Sequence, residues 1–242
     1  MVGDMNYFAH GVRFLSSPWF LAGTAAPDWL AVSDRKVRLR EKQVVPFLED
    51  ADPRLKEFAA GVLQHLQDDD WFHQTREFYE INSHVADCFR GMRDCNDGFL
   101  PGFLGHISTE LLLDRLLIED SPPQLDEYYD RLRGLPAEEI QCFVNHIAPR
   151  EATRLARFVQ LFCEVQFLRD YLDNRLLLKR LNQVLQRVKL QPLPDSAEAV
   201  LDRSWEIIQQ RGWRLLPAEK FVSRGPEHPS QNRSRTPLSS GD

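Results

Sequence analysis

The chain has 242 residues, of which 43% are hydrophobic, 27% charged and 10% aromatic, enough apolar material for one large core. Its 30 basic and 36 acidic residues leave a net charge of −6, which argues against a protein that grips nucleic acid through an excess of Lys and Arg. Cys88, Cys95, Cys142 and Cys163 are too few and too irregular for a disulfide scaffold or a cysteine zinc site, so they read as reduced thiols of a cytoplasmic protein.

At the start, "MVGD" precedes "MNYFAH", and Met5 reads as an alternative first residue. No secretory signal follows. The apolar stretch "FLSSPWFLAGTAA" is broken by Ser-Ser-Pro and falls well short of the roughly 20 residues a membrane-spanning helix needs. An Asp-Pro start signal at residues 52–53 opens a helix whose apolar positions Leu55, Phe58, Ala59, Val62, Leu63 and Leu66 recur at helical spacing. A second helix is predicted over residues 71–90, ended by the loop "GMRDCNDG", and "FLPGFLGHISTELLLDRLLIED" reads as a strongly apolar, buried helix. Ser121 with two prolines starts the next helix, which Gly134 closes, and Pro136 starts another. Residues 151–189 form one long helical pattern, kinked or split, and "SAEAVLDRSWEIIQQRGWRLL" is the last amphipathic helix. The expectation is an all-α, single-domain bundle of about seven to nine helices over residues 1–220, with a disordered Pro-, Ser- and Arg-rich tail over 221–242.

Several of these helices carry chemistry. His65, Asp69 and His73 recur every four residues, drifting about 40° per step, so they share one helix face provided the helix runs unbroken through Trp71. Two imidazoles and a carboxylate suit a divalent Zn, Mn or Fe ion, whereas Asp68 and Asp70 read as solvent-facing neighbours. His106, Glu110 and Asp114 repeat the spacing on the apolar helix. There a buried His and Glu need compensation, either from a metal or from a hydrogen-bonded partner such as Arg115. His84 reads equally as a ligand, a phosphate contact or a surface residue. His10 in "NYFAHG" and Asp28 in "AGTAAPDWL" complete a His/Asp/His/Asp/His/Glu set, the inventory of a one- or two-metal hydrolase inside a helical bundle.

At these residues the chain resembles the bacterial acyl-carrier-protein phosphodiesterases, helical metal-dependent hydrolases related to the HD-type phosphohydrolases. "MNYFAH" matches that family's opening pattern with His10, "AGTAAPD" its small-residue segment with Asp28, and Gly61, His65 and Asp69 its Gly/His/Asp helix. Tyr171, Leu181 and Arg187 match a late segment of the family. Leu63 stands where the family carries a further His, and Gly105-His106 where it carries Asp-His, with Glu110 as a substitute carboxylate. "APD" and "GHISTE" also resemble segments of zinc-dependent phospholipase C. Both resemblances imply hydrolysis of a phosphoric ester, the first of them the phosphopantetheine ester of acyl carrier protein.

The expected chemistry is attack on phosphorus by a metal-activated water. The expected metal ligands are His10, Asp28, His65, Asp69, His106 and Glu110, with His73 or His84 as a further ligand or as proton donor. The basic run that includes Arg35, Lys36 and Arg38 reads either as a phosphate contact or as a solvated helix face. The rival from another class is a non-catalytic helical interaction protein with a structural metal or none. A di-iron carboxylate protein ranks last, because no Glu-x-x-His pair is present.

Overall fold

Helices begin where short polar side chains precede an apolar repeat. Asp52 accepts a hydrogen bond from Arg54 N (2.9 Å) just ahead of Pro53, the Thr75 hydroxyl accepts from Phe78 N (3.1 Å), and Asp173 accepts from Leu176 N (2.9 Å). The computed structural model describes residues 6–92 and 99–217, and every regular element among them is helical. The α-helices are α1 (Tyr7–Gly11), α2 (Pro18–Ser33), α3 (Glu41–Val44), α4 (Pro53–His73), α5 (Arg76–Arg90), α6 (Phe99–Asp120), α7 (Pro122–Arg133), α8 (Ala137–Ile147), α9 (Leu155–Val165), α10 (Asn174–Arg187) and α11 (Glu198–Arg211).

The all-α class is as expected, and the division into helices is finer. The pattern over 151–189 is broken at Gln166, which adopts a left-handed conformation (φ 51°) and closes α9. A 3₁₀ stretch, Phe167–Leu172, follows before Asp173 caps α10. The boundary expected near residue 71 lies further on. Trp71 to His73 complete α4, and the Thr75 cap starts α5 at Arg76.

The most extensive packing is that of α2 along α4, and α5 along α6 comes next, with α11 laid across α5 and α6. The short α1 is buried at every residue and sits against α2, α6 and α7. Tyr7, Phe8, Trp29, Phe58, Leu112, Tyr128, Phe162 and Leu181 belong to one continuous core, and such side chains each contribute about 1.5–3 kcal/mol on burial. No described helix is long and apolar enough to cross a membrane. Cys88, Cys142 and Cys163 are free thiols. Cys95, Met5 and the tail from 221 lie outside the described residues.

Candidate metal centre

The site begins with a close helix crossing. A Cβ on Gly61 would lie 2.1 Å from Phe20 O and 3.1 Å from Gly23 Cα, and one on Gly23 would lie 2.2 Å from Phe58 O. Only two glycines allow the α2 and α4 backbones to meet here. One turn beyond Gly61, His65 reaches across that contact, and its Nδ1 lies 2.8 Å from Thr24 O on α2. A carbonyl only accepts, so Nδ1 carries a proton, and in the neutral ring Nε2 is left as a lone-pair donor.

That Nε2 lies 3.3 Å from Asp69 Oδ2, while His10 Nε2, brought in by α1, lies 3.1 Å from Asp69 Oδ1. The two imidazole centroids are 4.1 Å apart. Burial drives the His10 ring toward neutrality, but the Asp68 and Asp69 carboxylates, with Asp28 adding to them, outweigh it and raise its pKa well above the ordinary value. Burial likewise opposes ionisation of Asp69, and His65 and His10 overcome it, holding the carboxyl far below the usual range. His10, His65 and Asp69 can hold a metal ion, since each offers a ligand atom within 4.8 Å of the others. Donors around a tetrahedral zinc at about 2.1 Å stand about 3.4 Å apart, close to the separations found here.

One turn further along α4, roughly 6 Å by helical rise, a second group forms. His73 Nδ1 donates to Asp69 O (2.9 Å), and its Nε2 lies 2.9 Å from Glu110 Oε1. His106 Nε2 approaches the same Glu110 oxygen at 2.9 Å, and its ring stacks on His73 with centroids 4.9 Å apart. Burial opposes ionisation of Glu110, and the two imidazoles more than offset it, holding the carboxyl at about 2. This trio also has ligand atoms within 4.8 Å of one another and can hold a metal ion. In both groups a backbone carbonyl fixes the tautomer of one histidine, an arrangement typical of metal-ligating imidazole.

Asp114 ties these helices together. One turn beyond Glu110 on α6, its carboxylate accepts from Phe8 N (3.0 Å) and Ala9 N (2.8 Å), the open amides of the first turn of α1. It thereby holds the helix that carries His10 against the helix that carries His106 and Glu110. Burial pushes its carboxyl up to about 7 despite those two backbone donors.

The residues singled out from the sequence sort as follows. His10, His65 and Asp69 form one group; His106 and Glu110 join His73, which therefore belongs to a ligand set of its own and not to that of His65. Asp28 is buried and its charge acts on His10, but it is in neither trio. Asp68 corrects the solvent-facing reading: it is buried, accepts from Arg13 Nη2 (2.5 Å), Gln64 Nε2 (2.9 Å) and Trp71 Nε1 (3.1 Å), and backs His10 Nδ1 at 3.8 Å. Asp70 is exposed, as expected. Arg115 donates to Glu119 and to Asn174, 2.8 Å each. His84 is exposed on α5, its Nδ1 against Glu80 O (2.6 Å) and Arg211 Nη1 (3.1 Å), and joins neither group. Arg35, Lys36 and Arg38 do not form a helix face. They lie in the turn and irregular segment after α2, where Arg35 donates twice to Arg187 O (2.9 Å each). Arg13 and Thr24 escaped the sequence reading. Arg13 follows His10 by one turn, a usable signal, whereas Thr24 acts through its carbonyl, which every residue has.

No protein-family model, no curated protein and no solved structure matches the chain.

Proposed function

We propose that this chain is a metal-dependent phosphoric ester hydrolase, with His10, His65 and Asp69 holding one divalent cation (Mn, Fe or Zn) and His73, His106 and Glu110 a second. The observation that carries the reading is the pair of three-donor groups on consecutive turns of α4. Cations bound there would supply Lewis acidity toward phosphoryl oxygens and acidify a water near neutral pH. The chain's own residues supply the rest. Thr24 O and Asp69 O orient His65 and His73, Arg13 neutralises Asp68, and Asp114 anchors α1. Asp69 and His73, each 22% exposed, and His106, 32% exposed, form the rim from which an ester approaches, while His10, His65 and Glu110 are buried beneath. The phosphopantetheine ester of acyl carrier protein is the substrate the family resemblance suggests; its acidic carrier would gain nothing from a net charge of −6.

One observation favours the rival reading, a non-catalytic helical protein: in each trio the imidazoles and the carboxylate already lie within ion-pair distance, and His10 is drawn toward its charged form. Metal analysis of protein purified without chelator, with turnover of bis-p-nitrophenyl phosphate, separates the two. The hydrolase reading expects bound metal and hydrolysis that His65→Ala and His106→Ala each reduce. Absence of metal, with no thermal stabilisation by added Mn or Zn, would refute it.

A further inference from the structure

Lys36 and Arg38 take no part in the metal groups and belong to a surface of one sign. After α2 the chain alternates. Val37 and Leu39 are buried, 3% and 6% exposed, while Lys36, Arg38 and Arg40 are exposed. The run is thereby fixed to the core and presents its cations outward. Contacts at its ends bring further cations beside it. The Asp34 carboxylate accepts from Thr153 N (3.3 Å) and Arg154 N (3.2 Å), so the exposed Arg150, Arg154 and Arg157 around the start of α9 adjoin the end of α2. Arg35 donates to Arg187 O (2.9 Å) and brings in the end of α10, with the exposed Lys189 just beyond it. Further on, Phe47 meets the His146 ring edge-on (centroids 5.3 Å apart), which holds the chain a second time against the stretch leading to Arg150.

Residues 34–40, 150–157 and 187–189 hold nine basic residues and two acidic ones. Arg187 is already held by Gln183 O and by further contacts and is not counted; the other eight are exposed. Of the acids, Asp34 is paired with Arg154 (3.5 Å) and Glu151 is exposed. On the neighbouring α3, Glu41 and Lys42 offset each other, and beyond it Glu49 is taken by Lys56 (2.9 Å), Asp52 by Arg54 (2.9 Å), and Asp50 accepts from Asp52 N. Asp28 and Asp114 are buried. These three stretches thus carry a surplus of six positive charges on a chain whose net charge is −6. Cations gathered in this way repel one another, and an external anionic surface relieves that repulsion.

The uncharged residues indicate which surface. Val45 opens the 3₁₀ turn that also carries Phe47, and it is 46% exposed, an apolar side chain offered beside the cations. The three stretches contain no aromatic side chain, the group on which nucleic-acid surfaces stack bases. No described helix is long and apolar enough to cross a membrane, so contact with a bilayer here is peripheral. We propose that this face binds the surface of a bilayer carrying anionic lipid, with Lys36, Arg38, Arg150 and Lys189 against the headgroups and Val45 at the acyl boundary. The face is separate from the metal groups and acts whether or not they bind metal.

Co-sedimentation of the full chain with lipid vesicles tests it, with EDTA present so that no metal bridges protein and lipid. Phosphatidylcholine vesicles containing about 30% phosphatidylserine should pellet the protein, and about 0.5 M salt should release it. Vesicles of phosphatidylcholine alone should leave it in solution. A basic side chain near an anionic leaflet is worth about fivefold in affinity, so Lys36→Gln combined with Arg38→Gln should weaken binding about 25-fold. Val45→Ser removes part of a half-exposed apolar side chain and should weaken it about threefold. Arg175→Gln combined with Arg203→Gln removes the same charge at the opposite end of α10 and on α11, and should bind as wild type. A single-stranded DNA oligonucleotide takes the place of the vesicles in a parallel arm. Failure to pellet with the phosphatidylserine vesicles, whether or not the DNA binds, would overturn the proposal. So would equal pelleting with phosphatidylcholine alone, wild-type affinity in the Lys36/Arg38 or the Val45 variant, or an equal loss in the Arg175/Arg203 variant.

Discussion

Asp69→Asn keeps the shape of the side chain that links His10 and His65 and removes its charge, which makes it the sharpest probe of the centre. In the wild-type chain the two carboxylate oxygens lie 3.1 and 3.3 Å from imidazole Nε2 atoms. A cation supplied at a hundred times its dissociation constant stabilises the native state by about 2.7 kcal/mol. For a chain of this length each kcal/mol moves the melting midpoint by about 2–4 °C, so the expected rise is about 5–10 °C. Replacing the anionic ligand by a neutral amide should weaken binding at least 100-fold, since loss of an outer-shell partner already costs about 10–100-fold. The same metal concentration then contributes only about 0.4 kcal/mol, roughly 1 °C. Scanning calorimetry of chelator-treated protein, with and without Mn or Zn, reads this directly. Performing it in a His106→Ala background isolates the first group from the second. If the wild-type midpoint does not move, or if Asp69→Asn moves as far as wild type, the reasoning fails.

Gly61→Ala would place a methyl against Phe20 O and force α4 off α2; we expect a loss of about 1–3 kcal/mol in urea unfolding, together with reduced metal content as His65 loses Thr24 O. Asp114→Asn tests the clamp on α1 through pH. The folded carboxyl titrates at about 7 and the unfolded one near 3.8, so the stability it contributes is full below the unfolded value and lost as pH rises through 7. The stability difference between wild type and Asp114→Asn should therefore shrink between about pH 4 and 7 in urea titrations, and parallel profiles would contradict it. His84→Ala should leave metal content unchanged where Glu110→Gln lowers it, as elemental analysis of the two purified variants will show.

Helical periodicity and cap residues were enough to read the all-α class, the start of α4 at Asp52–Pro53 and most of the later helices, because both are local properties of the chain. Donor types at i, i+4 spacing likewise pointed to His65, Asp69, His106 and Glu110 as ligands and to His73 as ligand or proton donor, whereas His10 was singled out from its apolar segment "NYFAHG". What spacing along one helix could not decide is which donors meet. His65, Asp69 and His73 do share a helix that runs through Trp71, yet the accumulated drift and rise separate His73 from His65, and a different neighbour waits at each level. α1 delivers His10 at one turn, and α6 delivers His106 and Glu110 at the next. The same reason explains Asp68, whose neighbours on α4 look solvated but whose partner Arg13 arrives from 55 residues earlier in the chain. A helix face is a local matter. The ligand sets depend on helix crossings, above all the glycine contact between α2 and α4, and those are set by the packing of residues far apart in sequence.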